Sequence, residues 1–137
     1  MAKHIASNVI KELLKQGLEV QSASVNVLGL TFKENCPDLR NTKVIHIIEE
    51  LKEYGLNVTV NDVEADKNEA EKLFNLNLKD KSELSKADVV LFAVPHSEYL
   101  TERDDYINLA KENGIIIDIK GNIRPEDIQA NQKLWRL

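Results

Sequence analysis

Apolar residues recur at helical spacing at the start of the chain. Ile5, Val9, Leu13 and its neighbour Leu14 share a face, and Gly17 follows as a C-cap, predicting a helix over residues 2–16. The pattern then changes. Residues 25–30 (VNVLGL) are a short apolar run rich in β-branched side chains, which reads as a buried strand. Residues 31–41 (TFKENCPDLRN) are polar, contain Pro37 and read as a loop. Asn41 or Thr42 can cap the next helix, in which Val44, Ile47, Ile48 and Leu51 share a face and Gly55 is the stop.

Residues 57–61 (NVTVN) predict a second strand, residues 64–74 a helix, and residues 75–78 a short third strand. Residues 88–94 (DVVLFAV) are a strongly apolar strand closed by Pro95. Thr101 and Asp104 resemble a capping box opening a helix through Leu109, with Gly114 as its terminator. Residues 115–119 (IIIDI) predict another buried strand, residues 124–130 a short helix, and residues 133–136 an edge strand.

Strands without polar alternation, separated by helix-length segments, specify a parallel sheet covered on both faces. With right-handed crossovers this is a doubly wound α/β domain, Rossmann-like with three αβα layers, over residues 19–137. The opening helix precedes that unit and has no place in it. Residues 1–18 are therefore assigned to something upstream, and the helix is expected to project or to pack on a second copy.

Composition narrows the class. The 137 residues suffice for one domain, and 42% hydrophobic with 30% charged residues is a globular balance. A net charge of -5 argues against a broad nucleic-acid-binding face. One cysteine, Cys36, excludes an internal disulfide and a multi-cysteine zinc site. No apolar run approaches the roughly 18 residues of a membrane span, and the charged, amphipathic N-terminus is not a secretory signal. A reducing cytoplasm is the expected compartment.

Ligands of open α/β sheets bind beyond the carboxyl ends of the strands, near the reversal of strand order. Three segments qualify: the 30–41 loop, the turn at 93–96 and the turn at 118–122. Gly29 is followed by Leu30, Thr31, Phe32 and Lys33, so the glycines of a dinucleotide fingerprint are missing. The loop offers an aromatic, Phe32, and two cations, Lys33 and Arg40, ahead of a helix N-terminus, a set that can hold an anion. On these residues alone a solvated loop charge is an equal account of Lys33. His96 is expected to bond nearby backbone through its ring, Asp62 to serve a turn, and Trp135 to anchor the C-terminal edge or meet another domain. His4 and His46 lie in helices without metal-ligand spacing.

The run from Val27 to Asn41 (VLGLTFKENCPDLRN) strongly resembles the start of the C-terminal domain of the UDP-glucose/GDP-mannose dehydrogenase family. The resemblance continues through Asn61-Asp62, Ala87-Asp88, Ala93 to His96, and Asp118-Ile119-Lys120, and residues 1–17 look like the end of that family's central, dimer-forming helical domain. It implies an enzyme that oxidises C6 of a nucleotide-linked sugar twice, from alcohol to carboxylate, reducing two NAD molecules, for surface polysaccharide synthesis. It implies that Phe32 and Lys33 contact the nucleotide-sugar, that Lys120 stands against the same substrate, and that Arg40 reaches NAD held by the N-terminal domain. The wording of residues 31–44 looks closer to the branch acting on UDP-N-acetylhexosamines than to UDP-glucose enzymes. The family's nucleophilic cysteine lies in a glycine-rich motif upstream of this domain. No such motif occurs here, so Cys36 is expected to be a partly buried loop residue and the chain to be inactive alone.

Two rivals come from other classes. A signalling receiver needs an acidic pair after its first strand, where this chain has Leu30-Thr31-Phe32-Lys33. A free-standing nucleotide-binding or interaction module of the same fold remains the alternative.

Overall fold

The computed structural model describes residues 1–137. In chain order it contains α1 (Ala2–Lys15), β1 (Ser24–Leu28), α2 (Val44–Glu53), β2 (Asn57–Asn61), α3 (Lys67–Phe74), β3 (Ala87–Phe92), α4 (Ser97–Thr101), α5 (Arg103–Ile107), β4 (Ala110–Asp118) and β5 (Lys133–Arg136). The five strands form one sheet in the order β2-β1-β3-β4-β5, and every neighbouring pair is parallel. The α/β, Rossmann-like architecture expected from the buried strands is the one observed. The chain leaves β1 toward β2 on one side and returns to β3 on the other, so the order reverses between β1 and β3.

Alternation along the strands divides the core. Val25, Val27, Val89, Leu91, Ile115 and Ile117 join a cluster that includes the apolar stripes of α1 and α2. Leu28, Val90, Phe92 and Ile116 belong to a second cluster with Tyr99, Tyr106 and Ile107 from α4 and α5. Ile5, Ala6, Val9 and Leu13 of α1 are fully buried in the first cluster, and the helix packs on α2. This overturns the expectation that the opening helix projects or needs a second copy. Four turns of apolar stripe bury best against the nearest apolar surface, and the face beside α2 supplies it. Trp135 of β5 packs on the edge of this cluster, its ring 6.2 Å from that of His4, and so ties the edge strand to α1.

Other local departures have identifiable causes. Residues 75–78 form no strand: Asn75 closes α3 in the left-handed conformation (φ 55), and the segment reaches β2 through Lys79 N–H to the Val60 carbonyl at 2.9 Å. Thr101 ends α4 instead of capping a longer helix. The chain bends at Glu102, so that Tyr99 and Tyr106 are both buried, edge to face at 5.0 Å. Gly114 lies inside β4, where a bulge carries Lys111 to Asn113 into solvent before the ladder resumes at Ile115 opposite Val89. The short helix expected over 124–130 is a single 3₁₀ turn at Pro125–Asp127. No helix is long and apolar enough to cross a membrane.

Candidate functional site

Gly29 stands at the reversal point with φ 102, and a Cβ there would lie 2.7 Å from both Cβ and N of Val94. The glycine lets the ends of β1 and β3 close on each other, with the amides of Ala93 and Val94 donating to the Leu28 carbonyl at 2.9 and 3.3 Å. Above this contact lies a cleft of ≈ 550 Å³. Its rim carries Phe32 and Lys33 from the loop after β1, Lys43 before α2, and Lys120 after β4, with Glu34 as the one acidic side chain. Its floor is apolar: Ile5 of α1, Ile47 of α2, Ala93 and Val94.

Phe32, Lys33 and Lys120, three of the residues singled out in the sequence, thus share one cleft. Lys33 and Lys120 follow β1 and β4, with β3 between them, so their backbones stand two strand spacings apart, roughly 10 Å. Phe32 is 54% exposed, unusual for a large aromatic, and presents its ring to the opening. Arg40 does not line the cleft. Its side chain is 79% exposed and forks onto Asp38, with Nε and Nη2 donating to the two carboxylate oxygens at 3.0 and 3.3 Å. That fork holds the Asp38 carboxyl below its ordinary value and raises the guanidinium. Cys36 is half-buried and lies outside the cleft lining.

Two buried carboxylates support the cationic loops, Asp118 in a role the sequence did not signal and Asp62 in one that goes beyond the turn expected of it. Asp118, at the end of β4, accepts from the Gly121 amide at 3.0 Å and the Ile123 amide at 2.7 Å, closing the turn that carries Lys120. Asp62, at the end of β2, accepts from the amides of Leu30 (2.6 Å) and Thr31 (3.0 Å) through Oδ2, and from those of Glu64 (2.8 Å) and Ala65 (2.9 Å) through Oδ1. It is a turn residue, as expected, and also a clamp on the loop after β1. Desolvation raises its pKa, but hydrogen bonds from His96 and from the backbone outweigh this and hold the carboxyl below its ordinary value.

His96 is fully buried behind the same loop. Its Nδ1 accepts from the Asn35 amide at 2.9 Å, which assigns the proton to Nε2. Nε2 then faces Oδ2 of Asp62 at 3.0 Å and Oγ1 of Thr31 at 3.1 Å, while the Thr31 hydroxyl donates to the Lys33 carbonyl at 3.1 Å. One ring nitrogen bonds backbone, as expected of this histidine; the other bonds the carboxylate. The trio is not a hydrolytic triad, because Asp62 and Thr31 share one nitrogen and all three side chains lie beneath the surface. The only signals for this arrangement in the sequence were polar residues directly after apolar strands.

Comparison with known proteins identifies relatives of this chain. Residues 26–125 match the family model described as UDP-glucose/GDP-mannose dehydrogenase family, UDP binding domain. Protein CapL of Staphylococcus aureus is 74% identical over 137 residues, covering 100% of this chain and 32% of that protein. UDP-N-acetyl-D-glucosamine 6-dehydrogenase of Pseudomonas aeruginosa is 36% identical over 121 residues, covering 88% of this chain and 29% of that protein. The crystal structure of NDP-N-acetyl-D-galactosaminuronic acid dehydrogenase from Methanosarcina mazei superposes with a TM-score of 0.77 at 20% identity, over 98% of this chain and 28% of that one. The chain therefore spans about a third of the length of the curated relatives it matches. With the match extending over most of its length, the chain belongs to the UDP-glucose/GDP-mannose dehydrogenase family, in the part described as the UDP binding domain.

Proposed function

We propose that this chain is the nucleotide-sugar-binding portion of an NAD-dependent UDP-sugar 6-dehydrogenase that supplies hexuronic acids for polysaccharide synthesis in the cytoplasm. The observation that carries the reading is the convergence of Phe32, Lys33 and Lys120 on one cleft at the reversal of strand order. Lysines supply compact positive charge for a diphosphate, and an aromatic ring beside them gives a nucleotide an apolar surface. Relatives named as UDP-N-acetylhexosamine dehydrogenases favour that substrate branch.

The chain contributes binding and not turnover. Cys36 lies outside the cleft, and the loop after β1 offers no glycine cradle for a pyrophosphate, so the residues present do not fit a complete NAD site. Arg40, exposed beyond the cleft, is the residue that would touch NAD held by another domain. In a longer protein α1 would be the end of the central, dimer-forming helical domain.

Titration calorimetry with UDP, UDP-N-acetylglucosamine and UDP-glucose tests the reading on the 137-residue chain. Saturable binding of UDP, with uridine much weaker, is expected. No measurable UDP binding would overturn the assignment of the cleft. Incubation with NAD and UDP-sugars should produce no reduced cofactor, and turnover abolished by Cys36→Ala would overturn the assignment of that cysteine.

A further inference from the structure

We infer that His96 is a positioning residue for the cleft: from behind the 31–35 loop it holds Lys33 and Phe32 toward the ligand without touching the ligand itself. The inference rests on the nucleotide-binding reading of the cleft. His96 does not line the cleft and has no exposed surface, so it cannot meet a ligand there. It meets the loop at its two ends, Thr31 and Asn35, instead. The Asn35 amide donates to Nδ1, the Thr31 hydroxyl lies 3.1 Å from Nε2, and that hydroxyl fixes the Lys33 carbonyl. Asn35 closes the far end, its Oδ1 accepting from the Ser97 amide at 2.9 Å, and the Phe32 amide donates to the Asp38 carbonyl at 2.8 Å.

With residues 31 and 35 anchored inward, the side chains of Phe32, Lys33 and Glu34 are left to face the opening. Their backbone is set by the anchors together with the Phe32 and Lys33 backbone bonds just described, and no side-chain ion pair holds Lys33. An imidazole suits this place because its nitrogens play opposite roles, one accepting from a backbone amide and one donating to a buried carboxylate. Lys120 is held differently. Its turn is closed by Asp118, with no contact to His96. The two lysines therefore have separate supports, and only one of them depends on the histidine.

That separation gives a test on the 137-residue chain with UDP as the probe. His96→Ala should weaken UDP binding by about tenfold, the effect of misplacing one charge-assisted contact. In the His96→Ala background, Lys33→Ala should add less than about twofold, because its contact is already lost, while Lys120→Ala keeps its full effect. His96→Asn, whose Oδ1 can accept from the Asn35 amide near the place of Nδ1, should recover part of the affinity. A residue needed only for the fold would reduce the effects of both lysine substitutions alike and would show no such rescue. Full, equal effects of Lys33→Ala and Lys120→Ala in the His96→Ala background would overturn the inference, as would wild-type affinity of His96→Ala.

Amide hydrogen exchange supplies a ligand-free readout. Asn35, whose amide donates to the ring, should exchange at least about tenfold faster in His96→Ala, with Val25 and Val27 of β1 unchanged. If the wild-type chain binds no UDP, the reading of the cleft fails, and unchanged protection at Asn35 would separately overturn the role of His96. Should His96→Ala not fold, His96→Asn and His96→Gln carry the same comparison, each keeping one of the two ring contacts.

Discussion

Gly29 and Val94 meet so closely that a single methyl group on the glycine would lie 2.7 Å from the amide nitrogen of the valine. The contact joins the ends of β1 and β3 beneath the cleft. The Val94 backbone and the Cβ fixed to it, not the far end of a flexible side chain, are what the methyl would strike, and φ 102 is itself unfavourable for any L-residue. Gly29→Ala should therefore cost about 2–4 kcal/mol, measured by urea unfolding, from combined strain and overpacking. A loss below about 1 kcal/mol would mean that the two strand ends separate easily.

The Asp62 carboxyl is held below its ordinary value of 3.8 against the opposing effect of burial. Its folded-state pKa is thus lower than its unfolded-state value, so protons bind preferentially to the unfolded chain. The stabilisation is fully present above the unfolded-state value and is lost as pH falls through the folded-state one. Unfolding free energy should show no pH dependence from this group above about pH 5, where its contribution is full, and should decline below about pH 4. In Asp62→Asn that part of the acid decline should disappear. The amide cannot accept at both of its terminal atoms, so stability at neutral pH should fall by about 2–4 kcal/mol. An unaltered acid limb in Asp62→Asn would assign the decline to other carboxylates.

Burial of α1 carries its own expectation. Leu13 is fully enclosed among the residues of α1, α2 and the sheet. Leu13→Ala should cost about 2–5 kcal/mol, while Leu14→Ala, on the exposed face, should stay within about 0.5 kcal/mol. Equal, small effects in thermal or urea melts would show that the helix is not part of the cooperative unit.

What could be read from the chain depended on whether a signal was local. β2 was legible to the residue, because NVTVN is a β-branched run flanked by Gly55 and Asp62. The stripe of α1 was equally clear as a helix, but a stripe does not say which surface covers it, and its partner α2 begins 29 residues after α1 ends. The bulge in β4 hid its first residues, since Lys111 to Asn113 are polar and exposed and read as the end of a helix. Phe32, Lys33 and Lys120 stood out as an aromatic and two cations after apolar strands. The Asp62–His96 pair did not, because 34 residues separate partners that only the sheet brings within 3.0 Å.

The cleft makes a last prediction that separates its cations from one another. Lys33 and Lys120 are exposed, stand on the rim and have no ion-pair partner, so each is available to a phosphate without first breaking another contact. Lys33→Ala and Lys120→Ala should each weaken UDP binding by about 1.5–3 kcal/mol, the range for a hydrogen bond to a charged group. Neither should move the melting midpoint by more than a degree or so, because surface substitutions of this kind touch no core contact. Binding should also weaken as ionic strength rises, since exposed charges are screened within roughly 8–10 Å at physiological salt. Arg40 behaves oppositely. It lies outside the cleft and is engaged by Asp38, so Arg40→Ala should leave UDP affinity unchanged. In a full-length enzyme the same substitution should raise the KM for NAD more than that for the sugar nucleotide. Calorimetric titrations of the three variants at two salt concentrations decide the matter. UDP affinity lost in Arg40→Ala but kept in both lysine variants would move the phosphate site out of the cleft and onto the outer side of the loop after β1.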